Sequence, residues 1–209
     1  MLDEGGELFV RGPAGRLEAV FKRSPGARAA AVVCHPHPLR GGTLYDKVTY
    51  RMGRALLAAG LSVLRFNFRG VGASEGTFDA GQGEREDLTA MIDHLAAEHA
   101  ELVVAGFSFG AWVGLDVGAR DPRVGRLVGL GLPVNVYDAD FLRGVEKPTL
   151  LVHGDRDPFG DLDRVRAVAA AAGSGVRLAP IEGADHVFTG RLEAMMEAVT
   201  SFAREPSEK

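Results

Sequence analysis

The chain has 209 residues and a single cysteine, Cys34. One thiol excludes an internal disulfide and any thiolate metal cluster. An excess of positive charge is also missing, since 24 Lys and Arg stand against 28 Asp and Glu for a net charge of −4. A nucleic-acid or membrane-surface binder would carry a basic stripe, so neither partner is expected. No run of the sequence approaches the roughly 20 apolar residues of a membrane span. The opening MLDEGGELFV carries acidic groups where a secretory leader would be basic and then apolar. Internal repeats and Pro- or Ser-rich linkers are absent as well. What remains is an ordinary globular composition, 46% hydrophobic and 25% charged. The expectation is one soluble, cytoplasmic domain over residues 1–209 with a frayed tail at 203–209.

Apolar and helix-like stretches alternate along that domain. Strand-like runs stand at 17–21, 29–35, 61–68, 101–107, 126–132, 149–154 and 176–181. Most of the later ones are continuously hydrophobic, as strands buried on both faces of a parallel sheet must be. Helical stretches are expected at about 46–59, 84–98, 110–120, 161–172 and 188–203. In the second of these, Leu88, Met91, Ile92 and Leu95 recur at i, i+3, i+4 and i+7, which is one face of a helix. The fold class is therefore α/β, a mostly parallel central sheet with right-handed crossovers and helices on both faces. Such sheets bind ligands beyond the carboxyl ends of their strands. Polar residues that follow strand-like runs are thus the candidates for function.

Four stretches meet that condition. In GFSFG, Ser108 sits between Gly106 and Gly110, after the apolar LVVA and before the apolar AWVGLDVGA. A strand-to-helix turn there would lift the hydroxyl out of the sheet and aim the Phe109 amide at a developing oxyanion. HGDRDPFG offers Asp155 and Asp157, which otherwise would serve the turn or cap the helix that follows. GADHVF offers His186, which alone would be an ordinary surface histidine. The chain order of serine, aspartate and histidine, each after a later strand, is what gives the three weight together. CHPHPLRGG can supply a second oxyanion amide, but not from Pro36 or Pro38, which have no N–H. His37 is the first choice and Leu39 the second. His35 and His37 lack further ligands at metal-binding spacing, and Cys34 lies within an apolar strand where a thiol is inert.

HPHPLRGG, LRFNFRGVGASEG, GFSFG, HGDRDPF and GADHVF together resemble the α/β-hydrolase superfamily, in particular small lid-less, dienelactone-hydrolase-like bacterial esterases. The resemblance runs from about residue 8 to 203. It implies an α/β-hydrolase fold, with Ser108 as nucleophile, His186 as general base and acid, and Asp157, the second aspartate of GDRD, as the orienting carboxylate. Asp155 then forms a turn, and Asp185 beside the histidine is structural. Relatives often have glycine after the first histidine of the oxyanion loop where this chain has Pro36. The connection at 133–148 is too short for the cap that larger relatives insert. GVGASEG has glycines at 70, 72 and 76, which do not fit a dinucleotide fingerprint. The resemblance places that loop near the rim of the active site.

These readings lead to a serine carboxylesterase that uses Phe109 and His37 amides as oxyanion donors and needs no metal or organic cofactor. Leu39, Tyr45, Phe107, Tyr137, Phe159 and Phe188 are expected around the substrate. Without a cap to enclose a long chain, a small-molecule ester with a short acyl group is the expected substrate. Thioester, lactone and peptide hydrolysis use the same residues. A non-catalytic binding role would be expected to have lost at least one of the three, and a nucleotide-dependent oxidoreductase lacks a phosphate fingerprint. A free sheet edge leaves a homodimer open.

Overall fold

The computed structural model describes residues 6–205. Its strands are β1 (Gly6–Gly12), β2 (Gly15–Lys22), β3 (Ala29–Cys34), β4 (Ser62–Phe66), β5 (Glu101–Phe107), β6 (Val124–Leu130), β7 (Thr149–Gly154) and β8 (Val176–Ile181). The helices are α1 (Lys47–Ala58), α2 (Gln82–Ala96), α3 (Phe109–Arg120), α4 (Leu162–Ala172) and α5 (Leu192–Arg204). The strands form one sheet in the order β1-β2-β4-β3-β5-β6-β7-β8. Its first two pairings, β1 with β2 and β2 with β4, are antiparallel, and the rest are parallel. This is the expected α/β-hydrolase architecture. Among the described residues, the link from β6 to β7 contains only the 3-10 turn Asp140–Leu142, so no cap covers the sheet.

Burial on both faces explains the sequence pattern. Ala30, Val32 and Cys34 of β3 pack with Leu88, Met91 and Ile92 of α2 on one side, and Ala31 and Val33 pack with Val48, Met52 and Leu56 of α1 on the other. The expected helical face of Leu88, Met91, Ile92 and Leu95 is buried throughout. β1 escapes the apolar reading because it is an edge strand whose side chains are mostly exposed, Phe9 included. Helix starts follow their caps: Asp46 accepts from the amides of Val48 and Thr49, and Asp161 from those of Asp163 and Arg164. α5 starts at Leu192 and not at 188, because Phe188 and Gly190 have positive φ. Of the segment expected to fray, Ala203 and Arg204 end α5 and Glu205 pairs with Arg177; residues 206–209 lie outside the described residues. No helix among the described residues is long and apolar enough to cross a membrane.

Strand order reverses at β3. The chain crosses from β3 to β4 on one side, then returns past β3 to β5 on the other. The loops leaving β3 and β5 therefore diverge, and a crevice opens between them. Cys34 and Gly106 are register partners there, so CHPHP and GFSFG leave the sheet side by side.

Candidate active site

Ser108 follows the last residue of β5 and precedes the first of α3, at φ 55° and ψ −120°. That left-handed conformation is strained for a residue with a Cβ. It is held by a hydrogen bond from the Ser108 amide to the Leu130 carbonyl (2.9 Å) and by Ala111 and Trp112 amides donating to the Ser108 carbonyl. The flanking glycines are required by close approach. A Cβ on Gly106 would collide with the Gly110 carbonyl, and one on Gly110 with the carbonyls of Cys34 and His35. Strand, helix and the β3 loop can thus meet around one serine.

His186 and Asp157 arrive from β8 and β7. The His186 Nδ1–H donates to Asp157 Oδ2 (2.7 Å), and the Ser108 hydroxyl donates to His186 Nε2 (2.9 Å). The carboxylate fixes this tautomer, because an ionised Asp accepts only. Asp157 is buried, and its other oxygen accepts from the Phe159 amide (2.8 Å). The imidazole lies between the rings of Phe107 and Phe159, with centroids 4.9 and 4.6 Å away. Asp155 ties the two loops together by accepting from the Gly183 amide (2.8 Å), and Asp185 accepts from the Thr189 amide (2.9 Å).

His153 carries a role that its sequence context did not signal. It is fully buried, donates Nε2–H to the Gly160 carbonyl (2.6 Å), and leaves Nδ1 with no partner among the described residues. The same Nε2 lies 3.7 Å from Asp157 Oδ2, so this ring closes the aspartate loop from below.

The β3 loop is fixed by His35. Its Nδ1–H donates to the Pro36 carbonyl (2.6 Å) and its Nε2 accepts from the Phe68 amide (3.1 Å). Burial pushes its pKa down to about 4, against the upward pull of the Pro36 bond, so the ring is neutral near pH 7. In a trans peptide the C=O and the following N–H point opposite ways. Pinning the Pro36 carbonyl therefore also sets the direction of the His37 N–H. The Leu39 amide, the other candidate donor, is spent on His37 Nδ1 (3.2 Å). The amides of His37 and Phe109 donate to no acceptor among the described residues. Burial lowers the His37 pKa, and Arg40 lowers it further against the pull of Glu84.

A cleft of about 300 Å³ opens over Ser108, lined also by His37, Phe107, Phe109, Tyr137, Phe159 and His186. Three residues expected around the substrate do not line it. Phe188 is 0% exposed and packs in the core beneath α5, because its φ of 56° turns the ring inward and leaves Val187 at the cleft. Leu39 (71% exposed) and Tyr45 (48% exposed) turn to solvent beyond the rim. Pro36, Arg40, Asp46, Pro133, Val136 and Val187, not foreseen from sequence, complete the wall. Tyr137 is held by stacking on Trp112 (4.4 Å, 17°), whose Nε1–H donates to the Asp138 carbonyl (2.9 Å). The 70–76 loop is not part of the cleft wall; the Ala73 amide donates to Glu18 and the Ser74 hydroxyl accepts from the Glu18 amide, which ties the loop to β2.

Known proteins share this architecture and sequence. A serine hydrolase homologue from Coxiella burnetii is 37% identical, with 94% of this chain and 96% of that one covered at a TM-score of 0.86. A serine hydrolase without lid from Xanthomonas campestris is 32% identical, over 98% and 95% of the two chains, at a TM-score of 0.87. An uncharacterized protein of Rickettsia prowazekii is 33% identical over 94% of this chain and 87% of its own. The family model described as an alpha/beta hydrolase domain matches residues 29–204, and the chain belongs to the α/β-hydrolase family.

Proposed function

We propose that this chain is a serine carboxylesterase acting on small esters with short acyl groups. The observation that carries the reading is the hydrogen-bonded series from Asp157 through His186 to Ser108, set at the switch point of the sheet and opening into the cleft. A serine hydroxyl is a weak nucleophile until a neighbouring base takes its proton. His186 Nε2 accepts that proton as Ser108 Oγ attacks the ester carbonyl, and Asp157 stabilises the imidazolium that forms. The His37 and Phe109 amides take the oxyanion, each worth about 3 kcal/mol of barrier. His186 then protonates the departing alcohol, and a water activated by the same ring hydrolyses the acyl-enzyme. The acyl preference follows from size, since a cleft of about 300 Å³ with no cap leaves a long chain in water.

The test is release of p-nitrophenol from C2 to C12 acyl esters by the wild type and by Ser108→Ala. The expected result is turnover greatest at the short chains and lost in the variant. Peak turnover at C10 or C12 contradicts the acyl preference, and equal turnover by Ser108→Ala contradicts the mechanism.

A further inference from the structure

We propose that Arg40 makes the cleft selective for esters that also carry a carboxylate, such as half-esters of short dicarboxylic acids or esters of hydroxy-carboxylic acids. The proposal rests on the reading of Ser108 as the nucleophile and adds the class of substrate.

Among the described residues, Arg40 is the one lysine or arginine on the wall of the cleft that contains Ser108 and His186. It ends the 3-10 turn Pro38–Arg40, and its backbone N–H donates to the His37 carbonyl (3.0 Å). The backbone of Arg40 is thus tied to that of His37. Arg40, His37 and Tyr137 line the same cleft, and the charge of Arg40 bears on both of the other residues. Yet the guanidinium has no ion pair or hydrogen bond among the described residues. Some arginines are spent on structure, as Arg69 is on Asp87 (2.8 Å) and Arg123 is on Asp121 and Asp93, and what sets Arg40 apart from the other unpaired ones is its place on the cleft wall.

The acidic groups nearby make hydrogen bonds to the backbone and none pairs with Arg40 among the described residues. Asp46, the carboxylate on the cleft wall, uses Oδ1 to accept from the Val48 and Thr49 amides and from the Thr49 hydroxyl. Glu84, whose charge reaches His37, is buried and accepts from the amides of Asp79 and Gly81. The remaining wall is largely apolar, with Pro36, Pro133, Val136, Phe159 and Val187. A substrate entering this cleft takes water away from the guanidinium. That is unfavourable for a neutral ester and favourable for one that returns a counter-charge. Arginine offers two parallel donors that match a carboxylate. The phenol of Tyr137, fixed on the same wall by Trp112 and hydrogen-bonded to no group among the described residues, is placed to add a third donor.

The test compares matched substrates on the wild type, Arg40→Gln and Arg40→Lys. On the alcohol side, 4-acetoxybenzoate is set against its methyl ester. On the acyl side, mono(4-nitrophenyl) adipate is set against 4-nitrophenyl hexanoate. The wild type is expected to prefer the carboxylate member of at least one pair by about tenfold in kcat/KM, the size of a charge-assisted hydrogen bond. Arg40→Gln removes the preference, Arg40→Lys retains part of it, and raised salt weakens it in the wild type. Equal use of both members of both pairs by the wild type, or a preference unchanged in Arg40→Gln, overturns the proposal. Failure of the underlying reading looks different: the wild type then hydrolyses neither member of either pair.

Discussion

On the serine side of the cleft every reacting group is held several times over. Ser108 is fixed by three backbone hydrogen bonds, His186 by two aromatic rings, and Asp157 by the Phe159 amide with His153 beneath it. The facing wall is different. Val136 and Val187 are 56% and 48% exposed, and the Arg40 guanidinium has no partner among the described residues. One side is set by packing that tolerates no added atom, the other by side chains that end in solvent. Chemistry and selectivity are thus built on separable parts of the molecule, and substitutions on the two sides should have effects of different size and kind.

The largest effect belongs to the fixed side. Asp157→Asn should lower kcat by about 10⁴-fold while leaving the fold intact, because the amide no longer selects the Nδ1–H tautomer of His186. Steady-state kinetics beside a thermal melt check this, and a loss confined to KM would break the comparison. Phe188→Ala comes next, since emptying a fully buried aromatic site costs about 3–5 kcal/mol. The same change loosens the loop that carries His186, so denaturant melts should shift and kcat should fall together.

A smaller effect is expected from pH. The His35 pKa is about 4 in the fold against an ordinary 6.5. As pH falls, the unfolded chain takes up the proton first, so the stability this residue contributes above pH 6.5 is lost progressively down to pH 4. The loss amounts to about 3 kcal/mol, read from urea melts across that window. His35→Gln should flatten this dependence. The smallest effect lies on the open wall. Val136→Ala should change the preferred acyl length by less than about tenfold in kcat/KM and move stability by no more than about 0.5 kcal/mol. A large loss of stability there would show that the wall is packed as firmly as the serine side.

The same division governs what could be read from the sequence. GFSFG announces its turn within five residues, because the two glycines and the strand and helix around them settle the geometry locally. The apolar runs likewise mark the strands that are buried on both faces. The cleft wall is assembled from loops after β3, β6, β7 and β8, where side-chain direction depends on single torsions. One positive φ at Phe188 exchanges it with Val187 as the cleft-facing residue. His153 gives no local sign of its role, since its contacts to Gly160 and Asp157 exist only once the loop has closed. β1 offers only the short apolar run Leu8-Phe9-Val10, of which the edge strand buries Val10 alone.

The central claim is that Ser108 is a nucleophile activated by His186. Its most direct measurement is the intact mass of the protein after exposure to a fluorophosphonate, followed by peptide mapping. The account predicts a single adduct on Ser108, absent in Ser108→Ala and strongly slowed in His186→Ala. A folded wild-type protein that stays unmodified, or carries its adduct on another residue, would contradict it.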